Sequence, residues 1–249
     1  MILIASLISH FLDFSKVCLT DMALQSIQPN DLVLAIDASL KKLTLVLLKN
    51  DQMLQSFVGD DGQQHSTYLL KSIDHILKLE NQNWSSLQHI VFTSGPGGFT
   101  SLRVCFATVM GLAIQNSIQV HTASSLYYRC LALTKERKGR LGCLVRAGRG
   151  KVYYGILNHD EEPIFEEGVL SLDDAVTLLL KKQPFSCLGG EGLGLVSLGD
   201  DFAQTKLSPD DPCQPKALKE MVSLGLYQSH DLAQIRLQYG QKPEIGPIK

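Results

Sequence analysis

The sequence contains no C-x-x-C pair, no H-x-x-x-H or H-E-x-x-H spacing, no G-x-S-x-G elbow and no apolar stretch of bilayer length. Each absence removes a class of chemistry. Six cysteines (Cys18, Cys105, Cys130, Cys143, Cys187 and Cys213) stand far apart, which fits free thiols in a reducing cytoplasm and not a disulfide framework or zinc knuckle. Seven scattered histidines cannot place two ligands on one helical face, so no metal site is expected. Without the elbow, a serine hydrolase of that class has no exposed nucleophile. Charge of one sign is also lacking: 23 basic side chains face 25 acidic ones, for a net charge of −2. With a pI near 6.4 no global field draws the chain onto nucleic acid, so any RNA contact is local or made by a partner.

What is present is an ordinary globular composition. At 249 residues with 45% hydrophobic content, the chain can bury the core of one large domain or two moderate ones. The opening Met1 to Leu12 is apolar, but no basic residue precedes it. At about a dozen residues it is short of the ~20 that span a bilayer, so neither a signal peptide nor a membrane anchor is expected. Met22 follows closely and a strand begins at Leu32, so residues 1–30 read as an extension or a misplaced start.

Short runs rich in strand formers, Leu32 to Asp37 and Leu43 to Leu48, predict a hairpin, with a third strand over Met53 to Val58. From His65 to Glu80, Leu69, Ile73, Ile76 and Leu77 recur at helical steps, and Leu70 widens the stripe. A strand over Gln88 to Thr93 ends in Ser94-Gly-Pro-Gly-Gly-Phe-Thr100, after which Leu102, Cys105, Phe106, Val109, Met110 and Ala113 predict a second long helix capped by Thr100. Ile118 to His121 reads as a strand and Ala123 to Leu133 as a helix. The lobe is thus mixed α/β over residues 31–122, and the charged run Lys135 to Lys138 marks a loop. Residues 123–249 predict a second lobe of similar class: strands over Leu141 to Val145, Lys151 to Leu157 and Pro163 to Leu170, a helix capped by Ser171 with Asp174 at its third position, and a helix from Pro215.

Three features invite a chemical reading beside a structural one. The Gly95-Pro96-Gly97-Gly98 loop before a helix can present N–H groups to an anion or can simply turn tightly. Asp37 and Ser39, at the end of the first strand, can hold metal-bound phosphate or close the turn. Gly189 to Gly194 can approach an adenosine or merely turn.

Taken in order, Ala35-Ile-Asp-Ala-Ser39, His65-Ser66 with Leu69-Leu70, Ser94-Gly-Pro-Gly-Gly-Phe-Thr-Ser-Leu-Arg103, Ala107-Thr108 with Gly111-Leu112-Ala113, and Ala123-Ser-Ser-Leu126 resemble the TsaB (YeaZ) family. The Gly-Pro-Gly-x-Phe-Thr-x-x-Arg segment is the specific part. The resemblance implies a two-lobed actin/sugar-kinase-like fold. It also implies a role as the noncatalytic partner of TsaD in making N6-threonylcarbamoyladenosine beside the anticodon of tRNA, with TsaE joining through the complex and tRNA met indirectly. ATP and metal are then expected on the partner subunit, with no cofactor and no catalytic residue here.

In that family two helices dock on TsaD. Carried over, His65, Leu69, Leu70, Ile73 and Leu77, with Leu102, Arg103, Phe106 and Met110, become interface candidates, and Asp37, Ser39, Gly95, Pro96, Gly97, Gly98, Phe99 and Thr100 the loop motifs. Without its partner the chain is expected to pair with itself through the same face. The sequence departs from the family in four places. Arg146-Ala-Gly148 and Lys151-Val-Tyr153 stand where Asp-Ala-Arg and Glu-Val-Tyr are usual, Cys105 stands for a glycine, and Thr100-Ser101 for Thr-Gly. Tyr239 to Glu244 resembles the family's closing Tyr-x-Arg only loosely. An ATP-using transferase or kinase of the same superfamily is the alternative, resting on Asp37 and the two Gly-rich loops; a peptidase finds no nucleophile–base or metal pair.

Overall fold

The five residues of β1 (Val33–Asp37) are buried at every position, as are all but the last of β2 (Thr44–Lys49). A strand apolar on both faces needs cover on both, and the architecture supplies it. The computed structural model describes residues 26–60, 65–133, 139–158, 164–208 and 214–237. Most of the extension, the Lys135 to Lys138 run, the Tyr239 to Glu244 segment, Cys18 and Cys213 lie outside these residues.

The first sheet adds β3 (Gln52–Val58), β4 (His89–Thr93), β5 (Gln119–Ala123) and the two-residue β11 (Gln228–Ser229), in the order β11-β5-β4-β1-β2-β3. The second comprises β6 (Arg140–Gly148), β7 (Lys151–Asn158), β8 (Ile164–Ser171), β9 (Cys187–Gly189) and β10 (Lys206–Ser208), ordered β10-β9-β6-β7-β8. In each sheet the first three strands form an antiparallel meander, and the next two run parallel to the first on its other side. One topology therefore occurs twice, although no fixed repeat is visible in the sequence. This is the two-lobed actin/sugar-kinase-like architecture that the resemblance implies.

Strand alternation sorts the core into layers. Leu34 and Ile36 of β1 and Leu45 and Leu47 of β2 pack under α1 (His65–Leu79) and α2 (Phe99–Asn116). Val33, Ala35, Val46 and Leu48, on the opposite face, meet the layer of α3 (Ser125–Ala132) and α5 (Pro215–Ser223), of which α3 also packs on Leu141, Cys143, Val145 and Leu157 of the second sheet. The outer face of that sheet is covered by α4 (Leu172–Lys181), whose cap forms as expected: the Asp174 N–H donates to Ser171 Oγ at 3.1 Å. The layers thus run α1/α2, first sheet, α3/α5, second sheet, α4.

The lobe boundary expected at residue 123 needs correction. α5 and β11 follow the second sheet in sequence but return to the first, where Ala217, Leu218, Met221 and Val222 join the core of β1 and β2 and β11 pairs with β5. The face of the first sheet that α1 and α2 leave bare needs this cover. Among the described residues no helix is long and apolar enough to cross a membrane.

Candidate functional site

The loop Ser94 to Gly98 joins β4 to α2 and is anchored on three sides. Ser94 N–H donates to the Ala123 carbonyl at 2.9 Å, and Ser125 N–H to the Gly95 carbonyl at 3.0 Å. Ser125 Oγ donates to the Pro96 carbonyl across a short contact. Gly98 N–H donates to the Ser39 carbonyl at 3.1 Å, and Arg129 Nη2 reaches the same oxygen at 3.4 Å. A Cβ on Gly97 would lie 2.5 Å from that carbonyl, so glycine is required by close backbone approach.

Asp37 sits beneath this junction, fully buried. Its Oδ1 accepts from Thr93 Oγ1 at 2.6 Å and from Ser39 Oγ at 2.7 Å, tying the ends of β1 and β4 to the turn. Oδ2 has no hydrogen-bond partner among the described residues. Cys105, from α2, lies near this carboxylate; burial first and the Asp37 charge second push its thiol well above the usual range, so it packs as an inert apolar group.

The second Gly-rich segment behaves like the first. A Cβ on Gly190 would lie 2.3 Å from the Leu144 carbonyl, and one on Gly192 2.8 Å from it. In both lobes the crowded glycines are used for close packing of the loop, Gly97 on Ser39 just past β1 and Gly190 and Gly192 on Leu144 within β6. Neither is left as an open cradle.

From its anchored start, α2 begins one residue before Thr100. Gly98 is the N-cap and, having no side chain, supplies no cap bond, while its own N–H is held by the Ser39 carbonyl; the Thr100 cap expected from sequence does not form. Phe99 is 41% exposed, and the Arg103 guanidinium lies 3.8 Å above its ring. Leu70 (48%) and Leu79 (53%) on α1 and Ile114 (45%) on α2 are also exposed. Phe106, Met110 and Leu112 are half-buried, leaning onto the core. A groove of about 700 Å³ runs past Leu70, Lys71, Asp74, Trp84, Leu112 and Gln115.

Four interface candidates do not reach this surface. Leu69, Ile73, Leu77 and Leu102 are all but fully buried. Their helical spacing marks the face turned to the chain's own sheet, since the strongest apolar periodicity is the one the core absorbs. His65 opens α1, and its side chain lies outside the described residues. The strip offered to solvent is therefore Leu70, Phe99, Arg103 and Ile114, with Phe106 and Met110 half-embedded at its base. Ile114 is a residue that sequence reasoning missed; its place 11 residues, about three turns, after Arg103 on the same helix was the available signal.

Between the lobes lies a cleft of about 340 Å³ lined by Ser94, Thr122, Ser124, Tyr127, Phe165 and Glu167. Ser124 Oγ donates to Glu167 across it. Among the described residues no three His, Cys, Asp or Glu side chains group as metal ligands.

Against this geometry stand the matches to known proteins. A family model described as TsaD, tRNA N6-adenosine threonylcarbamoyltransferase, matches residues 59–187. The tRNA threonylcarbamoyladenosine biosynthesis protein TsaB of Buchnera aphidicola from Acyrthosiphon pisum is 28% identical over 97 residues, 39% of this chain and 43% of that protein. TsaB of Buchnera aphidicola from Schizaphis graminum is 26% identical over 127 residues, 51% of this chain. The chain spans 43% and 60% of the length of these two relatives. A crystal structure of an uncharacterized protein with similarity to peptidase YEAZ from Pseudomonas aeruginosa superposes with a TM-score of 0.69 at 22% identity, covering 85% of this chain and all of that one. That likeness is one of fold.

Proposed function

The chain belongs to the TsaB (YeaZ) family, within the group that the threonylcarbamoyltransferase model describes, and from that premise we propose that it serves tRNA N6-threonylcarbamoyladenosine formation as a docking subunit. Its α1–α2 strip seats the equivalent helix pair of a TsaD-class enzyme and holds that enzyme in a productive state. The partner carries ATP, metal and the chemistry; this chain contributes no catalytic group. TsaE joins through the complex, and without the partner two copies pair by the same strip.

The observation that carries this reading is the exposed apolar strip itself. Leu70, Phe99 and Ile114 stand out from two neighbouring helices that each seal one face into the core. Apolar side chains grouped on adjacent helices mark a partner surface. The anchored loop beneath α2 keeps that surface rigid, which lowers the entropy lost on docking. The alternative, an ATP-using enzyme of the same superfamily, is weakened by the crowding of Gly97, Gly190 and Gly192, which fills the two loops it would use.

The test is complex formation with the TsaD-class protein of the same source, followed by size-exclusion chromatography with light scattering. The wild type forms a heteromer, and Leu70→Asp with Ile114→Asp abolishes it while the unfolding temperature stays within a few degrees. Retained binding in that folded variant contradicts the assigned face. Saturable ATP binding by the isolated chain would favour the enzyme reading.

A further inference from the structure

The hairpin joining β6 to β7 ends in Arg146-Ala-Gly-Arg-Gly-Lys151, three basic side chains within six residues and no acidic one. All three are exposed. A bulge between Arg146 and Gly148 shifts the ladder, leaving Arg146 across from Val152 and Gly148 across from Lys151. Gly148, Arg149 and Gly150 follow one another at φ of 79°, 51° and 70°, a tight left-handed reversal that two glycines make affordable. A Cβ at either glycine would meet nothing within 4 Å, so the tip stands clear of the rest of the surface. Arg146 and Lys151 form no ion pair among the described residues. On a chain of net charge −2, the tip is a local concentration of positive charge.

We propose that this tip is a contact for the phosphodiester backbone of RNA. It rests on the reading above in one respect, that the RNA of interest is the tRNA on which the complex acts. The composition of the tip favours phosphate over an acidic protein surface. Between Arg146 and Lys151 there is only alanine and glycine besides the cations, so nothing there could form the buried apolar or aromatic centre on which protein interfaces depend. Arg146 and Lys151 on a two-stranded ribbon, with glycines that let backbone come close, suit a row of phosphates. They offer no amide or aromatic group to read base edges, so the contact is indifferent to sequence and sensitive to salt.

The experiment is fluorescence anisotropy of the full chain with a labelled tRNA transcript and an unrelated structured RNA of similar length, between about 50 and 200 mM salt. The Arg146→Glu/Lys151→Glu variant is compared with a matched reversal at exposed lysines elsewhere, Lys206→Glu/Lys216→Glu. The wild type binds both RNAs alike. The tip variant loses about tenfold or more in affinity and its log–log salt slope flattens by about 2, while the control moves far less. Equal loss in both variants, or none in the tip variant, overturns the proposal. So does an unchanged RNA affinity accompanied by lost binding to the TsaD-class protein, which would make the tip a contact for an acidic protein surface. Because RNA binding is read on the isolated chain, its outcome is independent of the complex-formation test: the tip can fail while the docking role stands, and the reverse.

Discussion

His89 Nδ1 and His121 Nε2 lie 2.9 Å apart on neighbouring strands β4 and β5, joining two buried imidazoles in one hydrogen-bonded chain. His89 Nε2 meets Asp31 Oδ2 at 3.0 Å, and His121 Nδ1 meets Ser229 Oγ at 2.8 Å. The carboxylate can only accept and burial favours the neutral imidazole in both rings, which together assign the protons along the chain. His89 donates to Asp31, His121 donates to His89, and the Ser229 hydroxyl donates to His121. Both rings are neutral, and together they clamp the two-residue strand β11 to β5. His230 adds a second clasp, its Nε2 lying 2.8 Å from Thr122 Oγ1.

Acid should loosen that clamp. Burial lowers the His89 pKa against the opposing pull of Asp31, and burial with the neighbouring His89 and His230 lowers that of His121 to about 4. Between pH 6.5 and about 4 the unfolded chain therefore binds more protons than the folded one, so stability falls as pH falls through that window. Chemical denaturation at pH 7.5 and 5 should show a loss on the order of 2 kcal/mol. His121→Leu should be less stable at pH 7.5 by about 1–3 kcal/mol, because it leaves its partners unpaired, and should show a shallower pH slope. An unchanged slope would mean that the ring is not held neutral.

Glycines in and after the loop should respond oppositely to alanine. Gly97→Ala drives a Cβ into the Ser39 carbonyl and should cost about 1–3 kcal/mol. Gly111→Ala, inside α2 with nothing within 4 Å, should gain up to about 1 kcal/mol from helix propensity. Thermal unfolding of the pair checks both signs.

Asp37 should prove a structural carboxylate. Asn keeps an acceptor for Thr93 and Ser39 and should cost about 1 kcal/mol, whereas Ala orphans both donors and should cost about 3. If Asp37→Asn keeps its fold yet abolishes activation of the partner, the charge itself has a role that the hydrogen bonds do not explain.

Phe106→Asp should now behave differently from a pure surface change. The Phe106 ring sits 6.3 Å from that of Phe92 and leans on the core of the first lobe, so the variant should lower the unfolding temperature as well as weaken docking. Leu70→Asp and Ile114→Asp separate the two effects.

The contrast between Phe106 and Ile114 shows how far the sequence could be read. Strand runs, both long helices, the Ser171 cap and the two-lobe class were legible, because each depends on local spacing and local turn chemistry. Which of two apolar stripes on α1 faces outward was not, since periodicity marks a face without saying what covers it. Leu69, Ile73, Leu77 and Leu102 were consumed by the sheet, leaving Leu70 and Ile114. The return of α5 and β11 to the first lobe, and the pairing of His89 with His121, join residues whose proximity only the tertiary fold creates. The matching topology of the two sheets was equally hidden, because strand order is a property of pairing and not of composition.

The proposed role requires this chain to activate a TsaD-class enzyme through its α1–α2 strip. The direct measurement is N6-threonylcarbamoyladenosine formed on tRNA by the purified partner enzymes of the same source, without the chain, with it, and with the folded Leu70→Asp/Ile114→Asp variant. Product is expected only with the wild-type chain. Equal product in all three reactions would contradict it.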